Sequence, residues 1–193
     1  FCGQHIRADI VHLRGLKGMK MPYHFCVDER SGAQWLDKLQ GASQLSYTAA
    51  QVHKAQLKRI SYFRAHGHTV RRFYYDDDKV VKATEQALGN QGVQLLQWPP
   101  RQHEPVAESH IRTLNADLRV LITSLPYVLP EALVPYAAQD ICMTRRTLCN
   151  SQSGSESPHM IIEGEKPSAH AFHFSFGMLV NTHTDSSSQQ SPN

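Results

Sequence analysis

Residues 69–123 read TVRRFYYDDDKVVKATEQALGNQGVQLLQWPPRQHEPVAESHIRTLNADLRVLIT. Thr69 to Tyr75 is β-branched and aromatic, which predicts a strand that stops at three consecutive aspartates. Lys79 to Leu88 predicts a short helix, closed by Gly89-Asn90. Val93 to Trp98 predicts another strand, broken by Pro99-Pro100. A long helix then runs from about Pro105, a residue tolerated in a first turn, to Thr123. Strand, helix, strand, helix is the order of a sheet covered by helices.

The flanking segments extend this pattern. Ile6 to Leu13, Tyr23 to Val27 and Ala33 to Leu39 predict three strands. The polar turn Asp28–Gly32 joins the last two, and together the three read as an antiparallel meander. Ala49, Val52, Leu57, Ile60 and Phe63 recur at roughly helical spacing, which predicts a helix with Ser46 as its N-cap and Gly67 as its stop. Past residue 123, a helix over Pro130–Leu148, a serine-rich loop over Ser151–Ser157 and a late strand over Phe172–Thr182 are expected. The Ser/Gln-rich tail from Thr184 to Asn193 is expected to be disordered. The expected fold class is α/β, a mixed five-stranded sheet flanked by helices with a C-terminal helical and strand extension, a layout compatible with a ribonuclease-H-like sheet and not specific to it. Residues 1–125 are expected to form the core, 126–183 an extension packed on it, and 184–193 the tail.

Composition narrows the function classes. The 193 residues are 40% hydrophobic and 19% charged, ordinary for a globular chain. At this length a fold buries roughly 70% of its unfolded surface, enough for one core without disulfides. Mean hydropathy is −0.44 and no apolar run approaches the ~20 residues of a membrane span. The chain starts on Phe1 rather than Met, so it is expected to be a fragment of something longer. Cys2, Cys26, Cys142 and Cys149 lack C-x2-C spacing, which argues against a zinc site and for buried reduced thiols in an intracellular protein. His66/His68 and His170/His173 are close pairs without partners at finger spacing, so structural or surface roles are expected.

Net charge is only +3, but eight Lys/Arg against three Asp lie between His53 and Lys82. Arg72 and Lys79 belong to this stretch, which reads either as a phosphate-facing stripe or as a solvated helix face.

Three acids stand where such a sheet would place chemistry. Asp9 lies inside the first strand, where a lone acid is costly unless paired or metal-bound. Asp76 is the first residue after the fourth strand, and Glu108 is on the helix after the fifth. With the first and fourth strands adjacent, Asp9 and Asp76 would meet near one end and Glu108 would reach the same point. Converging carboxylates repel, and all-oxygen ligands suit Mg²⁺ or Mn²⁺. Two such ions can activate an attacking oxygen and stabilise the leaving oxygen of a phosphodiester. Singly, each acid has a plainer reading: Asp77 or Asp78 caps the next helix, and Glu108 is a favourable first-turn acid.

The order of these pieces resembles the integrase core of long-terminal-repeat retroelements. The matching residues are Gly92, the strand Val93 to Trp98, the loop Pro99 to His103, Glu108 and Arg112. ADIVHLRG, FCVDERSG and HTVRRFYYDDD fit the first strand, the hairpin and the second acid. Asn150, Pro158, Gly164, Lys166, Pro167, Phe176 and Gly177 resemble the segment that follows the core in copia-like elements.

The resemblance implies a polynucleotidyl transferase with the catalytic, metal-holding triad Asp9, Asp76 and Glu108. It would process DNA 3′ ends and then transfer the strand. It implies Mg²⁺ or Mn²⁺ as cofactor, and element ends and target DNA as partners, with no membrane. His103, Arg112 and Arg119, with Arg72 and Lys79, would contact nucleic acid. A homodimer is expected, with assembly in the cytoplasm and integration in the nucleus. Two alternatives stand beside this reading. One is a decayed or domesticated module that binds DNA or protein, motivated by Asp77-Asp78 where the retroviral pattern has Asn-Gly. The other is a nuclease of RNA–DNA hybrids, against which the segment after Glu108 argues.

Overall fold

The computed structural model describes residues 2–14, 20–39, 46–99, 105–168 and 176–177. The strands are β1 (His5–Arg14), β2 (Lys20–Asp28), β3 (Gln34–Lys38), β4 (Arg72–Tyr75) and β5 (Gln94–Gln97). They form one sheet in the order β3-β2-β1-β4-β5. β1, β2 and β3 pair antiparallel, while β4 lies parallel to both β1 and β5. This is the expected mixed five-stranded sheet.

The period-two alternation of β1 divides two cores. Ile6, Ala8 and Ile10 pack with Val52, Ile60 and Phe63 of α1 (Ala49–Ala65) on one face. Val11 and Leu13 pack on the other face with Tyr23, Phe25 and Leu36. That second face is covered by Leu114 and Leu118 of α4 (Pro105–Ser124) and by Ala137, Ala138 and Ile141 of α5 (Val134–Thr147). No helix among the described residues is long and apolar enough to cross a membrane.

Local chemistry moves several expected boundaries. The N-cap of α1 is Thr48, not Ser46. The Thr48 hydroxyl accepts from Gln51 N at 3.3 Å, and Gln51 Oε1 accepts from Thr48 N at 2.8 Å, a reciprocal capping box. The helix expected over Lys79–Leu88 is two, α2 (Lys79–Lys82) and α3 (Glu85–Gly89). Buried Thr84 lies between them and donates its hydroxyl to Val81 O at 2.8 Å, competing with the helical ladder. The helix expected from Pro130 begins as a 3₁₀ turn over Glu131–Leu133, with Pro135 then in the first turn of α5.

A helix not foreseen, α6 (Pro158–Glu163), follows the serine-rich loop. The Ser157 side chain accepts from Met160 N at 3.2 Å, and Gly164 closes the helix at φ +76°. It docks on α1: the Tyr62 hydroxyl donates to Glu163 Oε1 at 2.6 Å, and His68 Nε2 meets Ile162 O at 2.9 Å. His66 and His68 are thus structural. His170 and His173, the tail, and the expected strand Phe172–Thr182 apart from Phe176 and Gly177 lie outside the described residues. Cys2, Cys26 and Cys142 are buried free thiols, and Cys149 is exposed.

The basic stretch on α1 is not a uniformly solvated face. Arg59 is 3% exposed and donates to Asp37 Oδ2 at 2.6 Å, with its guanidinium 4.3 Å from the Trp35 ring centre. Lys58 Nζ bonds the other oxygen of Asp37 at 2.5 Å. Burial alone would raise the Asp37 carboxyl; the two cations outweigh it and hold it below its ordinary value. Asp37 therefore stabilises the fold fully above its unfolded pKa, and this is lost as pH falls through the lower folded value. Asp37→Ala strands Arg59 in the core. It is expected to cost about 3–5 kcal/mol in urea unfolding at pH 7, a cost that shrinks as pH falls through the lowered Asp37 pKa.

Candidate catalytic site beside the β1–β4 pairing

The last hydrogen-bonded pair between the parallel strands β1 and β4 is Arg7 opposite Tyr74. Extended two residues past the paired stretch, the same register would set Asp9 opposite Asp76, which lies just beyond the end of β4, on strands about 4.8 Å apart. Alternation along β1 puts Asp9 on the face covered by α4 and α5. Both acids are half-buried. Asp9 Oδ1 accepts from Ile10 N at 2.7 Å.

Two tyrosines feel the Asp9 charge. Burial pushes the Tyr75 hydroxyl well up, and the charges of Cys26 and Asp9 add to this while a hydrogen bond from Gln56 opposes it. Burial also raises Tyr47, followed by its hydrogen bond to Asp78 and the charges of Asp78 and Asp9. Both rings pack on the α1 side of the sheet.

The three aspartates after β4 have separate fates. Asp78 is the cap of α2: its Oδ1 accepts from Val80 N at 2.7 Å and Val81 N at 3.2 Å. Its other oxygen accepts the Tyr47 hydroxyl. Asp77 is exposed. The Asp76 carboxylate is not used in the cap. Gln97 Nε2, at the end of β5, donates to Asp76 O at 3.3 Å and Asp78 O at 3.0 Å. Together with Trp98 N on Tyr75 O at 2.9 Å, it clamps the turn that carries Asp76.

Glu108 stands in the first turn of α4, over the same face of the sheet. Its side chain is 54% exposed and lies 3.6 Å from Arg112, one turn on. Among the described residues, no three His, Cys, Asp or Glu side chains stand close enough to hold a metal ion together. Glu108 is thus not gathered with Asp9 and Asp76 into a three-ligand cluster. Arg112 and Arg119 share its exposed face at helical spacing. Lys79 is exposed, and Arg72 is exposed while donating to Gln94 Oε1 at 3.2 Å. His103 lies outside the described residues. Sequence reading did not single out Tyr47 or Gln97, because nothing local marks a residue whose hydrogen bonds cross to another element.

No family model matches the chain, and no curated protein matches it. Solved structures do. The HTLV-2 integrase catalytic core domain, in complex with magnesium in a trimeric form, superposes with a TM-score of 0.59 at 15% identity. That match covers 83% of this chain and 96% of the other. The BIV integrase catalytic core domain gives a TM-score of 0.56 at 17% identity, over 83% and 93% of the two chains. A simian T-cell lymphotropic virus intasome, in complex with the PP2A regulatory subunit B56 gamma, gives 0.62 at 13% identity. It covers 95% of this chain and 59% of that one.

The chain has the fold of a retroviral integrase catalytic core. The likeness is one of architecture, and at these identities it carries the sheet order, the helices on both faces and nothing about individual side chains. Gln97→Ala removes both side-chain hydrogen bonds to the turn after β4 and leaves the Trp98 N bond to Tyr75 O. We expect about 1–2 kcal/mol of destabilisation, with amide exchange accelerated selectively at residues 76–78 rather than across the sheet.

Proposed function

We propose that this chain is the catalytic core of a retroelement integrase of copia-like type, a metal-dependent polynucleotidyl transferase acting on DNA. The observation that carries the proposal is the register that sets Asp9, in the middle of β1, toward Asp76, just past the carboxyl end of β4, in a chain with an integrase-core fold. The HTLV-2 core was solved with magnesium.

The residues present here fit a hard divalent cation. Mg²⁺ is commonly held by one or two carboxylates plus substrate phosphates, and Asp9 and Asp76 supply two adjacent, half-buried carboxylates. Bound there, Mg²⁺ or Mn²⁺ would polarise the phosphodiester and offset charge on the attacking and leaving oxygens. Asp9, fixed in the middle of a central strand, sets the position of the site. Asp76 is held to it by the Gln97 clamp. Glu108, exposed on α4 beside Arg112, would have to turn from that arginine to serve as the third carboxylate.

In the first step a water oxygen bonds to phosphorus and the 3′-oxygen leaves, taking a proton to become a free hydroxyl. In the second, that hydroxyl attacks a phosphodiester of the target strand and displaces its 3′-oxygen. Arg112, Arg119, Arg72 and Lys79 would neutralise phosphates on either side of the acids, with His103 in the loop before α4. DNA ends and target DNA are the partners of this reading, a second copy of the chain is its oligomeric partner, and the nucleus is the compartment of its final step.

One observation favours a second reading, a domesticated module that binds DNA without chemistry: Glu108 is exposed and engaged by Arg112. Incubation with duplex DNA and with an RNA–DNA hybrid in Mn²⁺ separates the readings. The catalytic reading expects nicking and joining of DNA, lost at least 100-fold in Asp76→Asn and Glu108→Gln with an unchanged circular dichroism spectrum. Unchanged activity in Glu108→Gln contradicts it. Arg112→Ala is expected to lower the salt slope of DNA binding by about one.

A further inference from the structure

A cavity of about 760 Å³ lies between α4 and α5, with the β2–β3 turn at one end. That volume is in the range of small-ligand sites. None of its residues belongs to the acids or cations assigned to DNA chemistry, so the inference drawn from it stands or falls independently of that reading.

Two carboxylates, Asp117 and Asp140, line the cavity. Arg145 bonds Asp117 through Nε at 2.7 Å and Nη2 at 2.5 Å, and both go to the same oxygen, Oδ2. Oδ1 of Asp117 has no such partner among the described residues. Asp140, on α5, lines the same space and makes no hydrogen bond or ion pair among the described residues. Burial raises its carboxyl, the sign of a carboxylate short of compensation.

Gln34 is 2% exposed and lines the cavity; its amide donates to His110 Nδ1 at 2.8 Å, and its Oε1 has no hydrogen-bond partner. Burial, and then the charge of Arg145, hold His110 below its ordinary pKa, so it adds no positive charge at neutral pH. With His110 neutral, the lining carries two acids against one base. Leu121, Ile141 and Leu148 are the aliphatic side chains of the lining.

A group made only of donors, carrying positive charge on an aliphatic body, answers each of these features. An ammonium has three donors and no acceptor. Its stem would cover apolar surface while its head stays on the carboxylates.

We propose that the α4–α5 cavity binds an ammonium head on an apolar stem, seated on Asp140 and Asp117 with the stem along Ile141 and Leu148. The same chemistry comes from a free alkylamine or from a lysine side chain of a partner segment.

The test is a heteronuclear NMR titration of the full chain with hexylammonium, hexanoate and hexanol. Saturable shifts at the amides of Asp140 and Thr144 are expected with hexylammonium, with affinity at least tenfold above both other probes. Asp140→Asn is expected to weaken hexylammonium at least tenfold with an unchanged melting temperature. An acetyl-Leu-Lys-Leu-amide peptide, compared with its norleucine counterpart, separates the sources. If the lysine peptide binds more tightly than hexylammonium, the ligand is a partner's side chain; if it binds more weakly, the ligand is a free amine. Equal affinity for hexylammonium and hexanoate, or no saturable shift with hexylammonium, overturns the proposal. The comparison of the three probes needs no variant, so it decides even if Asp140→Asn fails to fold.

Discussion

The site depends on one hydrogen-bonded register, that of β1 parallel to β4 with Arg7 opposite Tyr74. Shifting it by one residue would turn Asp76 to the opposite face of the sheet from Asp9. What holds the register is burial on both faces. Ile6 and Ala8 of β1 and Phe73 and Tyr75 of β4 face α1, all at or near zero exposure. A slip would drive these side chains toward α4 and α5 and bring Asp9 into the α1 core, where a carboxylate without partners costs several kcal/mol. The position of the two acids is thus a by-product of apolar packing a few residues away.

The same sheet carries a second set of buried polar groups nearer its β3 edge. Arg59 reaches Asp37 across the first core and lies over Trp35. Arg146 of α5 stands 5.4 Å from the same ring. Tyr75 ties this region toward the candidate site: its hydroxyl lies 2.6 Å from His24 Nε2 and accepts from Gln56 at 3.1 Å. His24 is fully buried, and burial depresses it to about 4, so it stays neutral near pH 7. The network joins α1, β2 and β4 without placing a free charge in the core.

The parts of the fold that were legible in the sequence are those fixed by local periodicity. The five strands, α1 and α4 each carry an apolar repeat or a breaker that acts within a few residues. Asp9 was legible because an acid inside an apolar strand is anomalous wherever the strand lies. Asp76 was legible only through its place after a strand, and the structure separates it from Asp78 by a hydrogen bond from Tyr47, a residue far away in sequence. The split at Thr84 turns on where one hydroxyl points, which no composition reveals. The Ser157, Pro158 and Gly164 signals of α6 were present in the sequence, but the helix is only one and a half turns long and is held by its docking on Tyr62 and His68. The burial of Arg59 was hidden because its partner Asp37 sits on a different element.

The central claim is that Asp9 and Asp76 form one divalent-cation site. Titration calorimetry of Mg²⁺ and Mn²⁺ into the wild-type chain and into Asp9→Asn/Asp76→Asn tests it most directly. The account predicts a binding heat in the wild type that disappears in the double variant while its melting curve stays cooperative. Equal heats in the two proteins would place the cation elsewhere and contradict the claim.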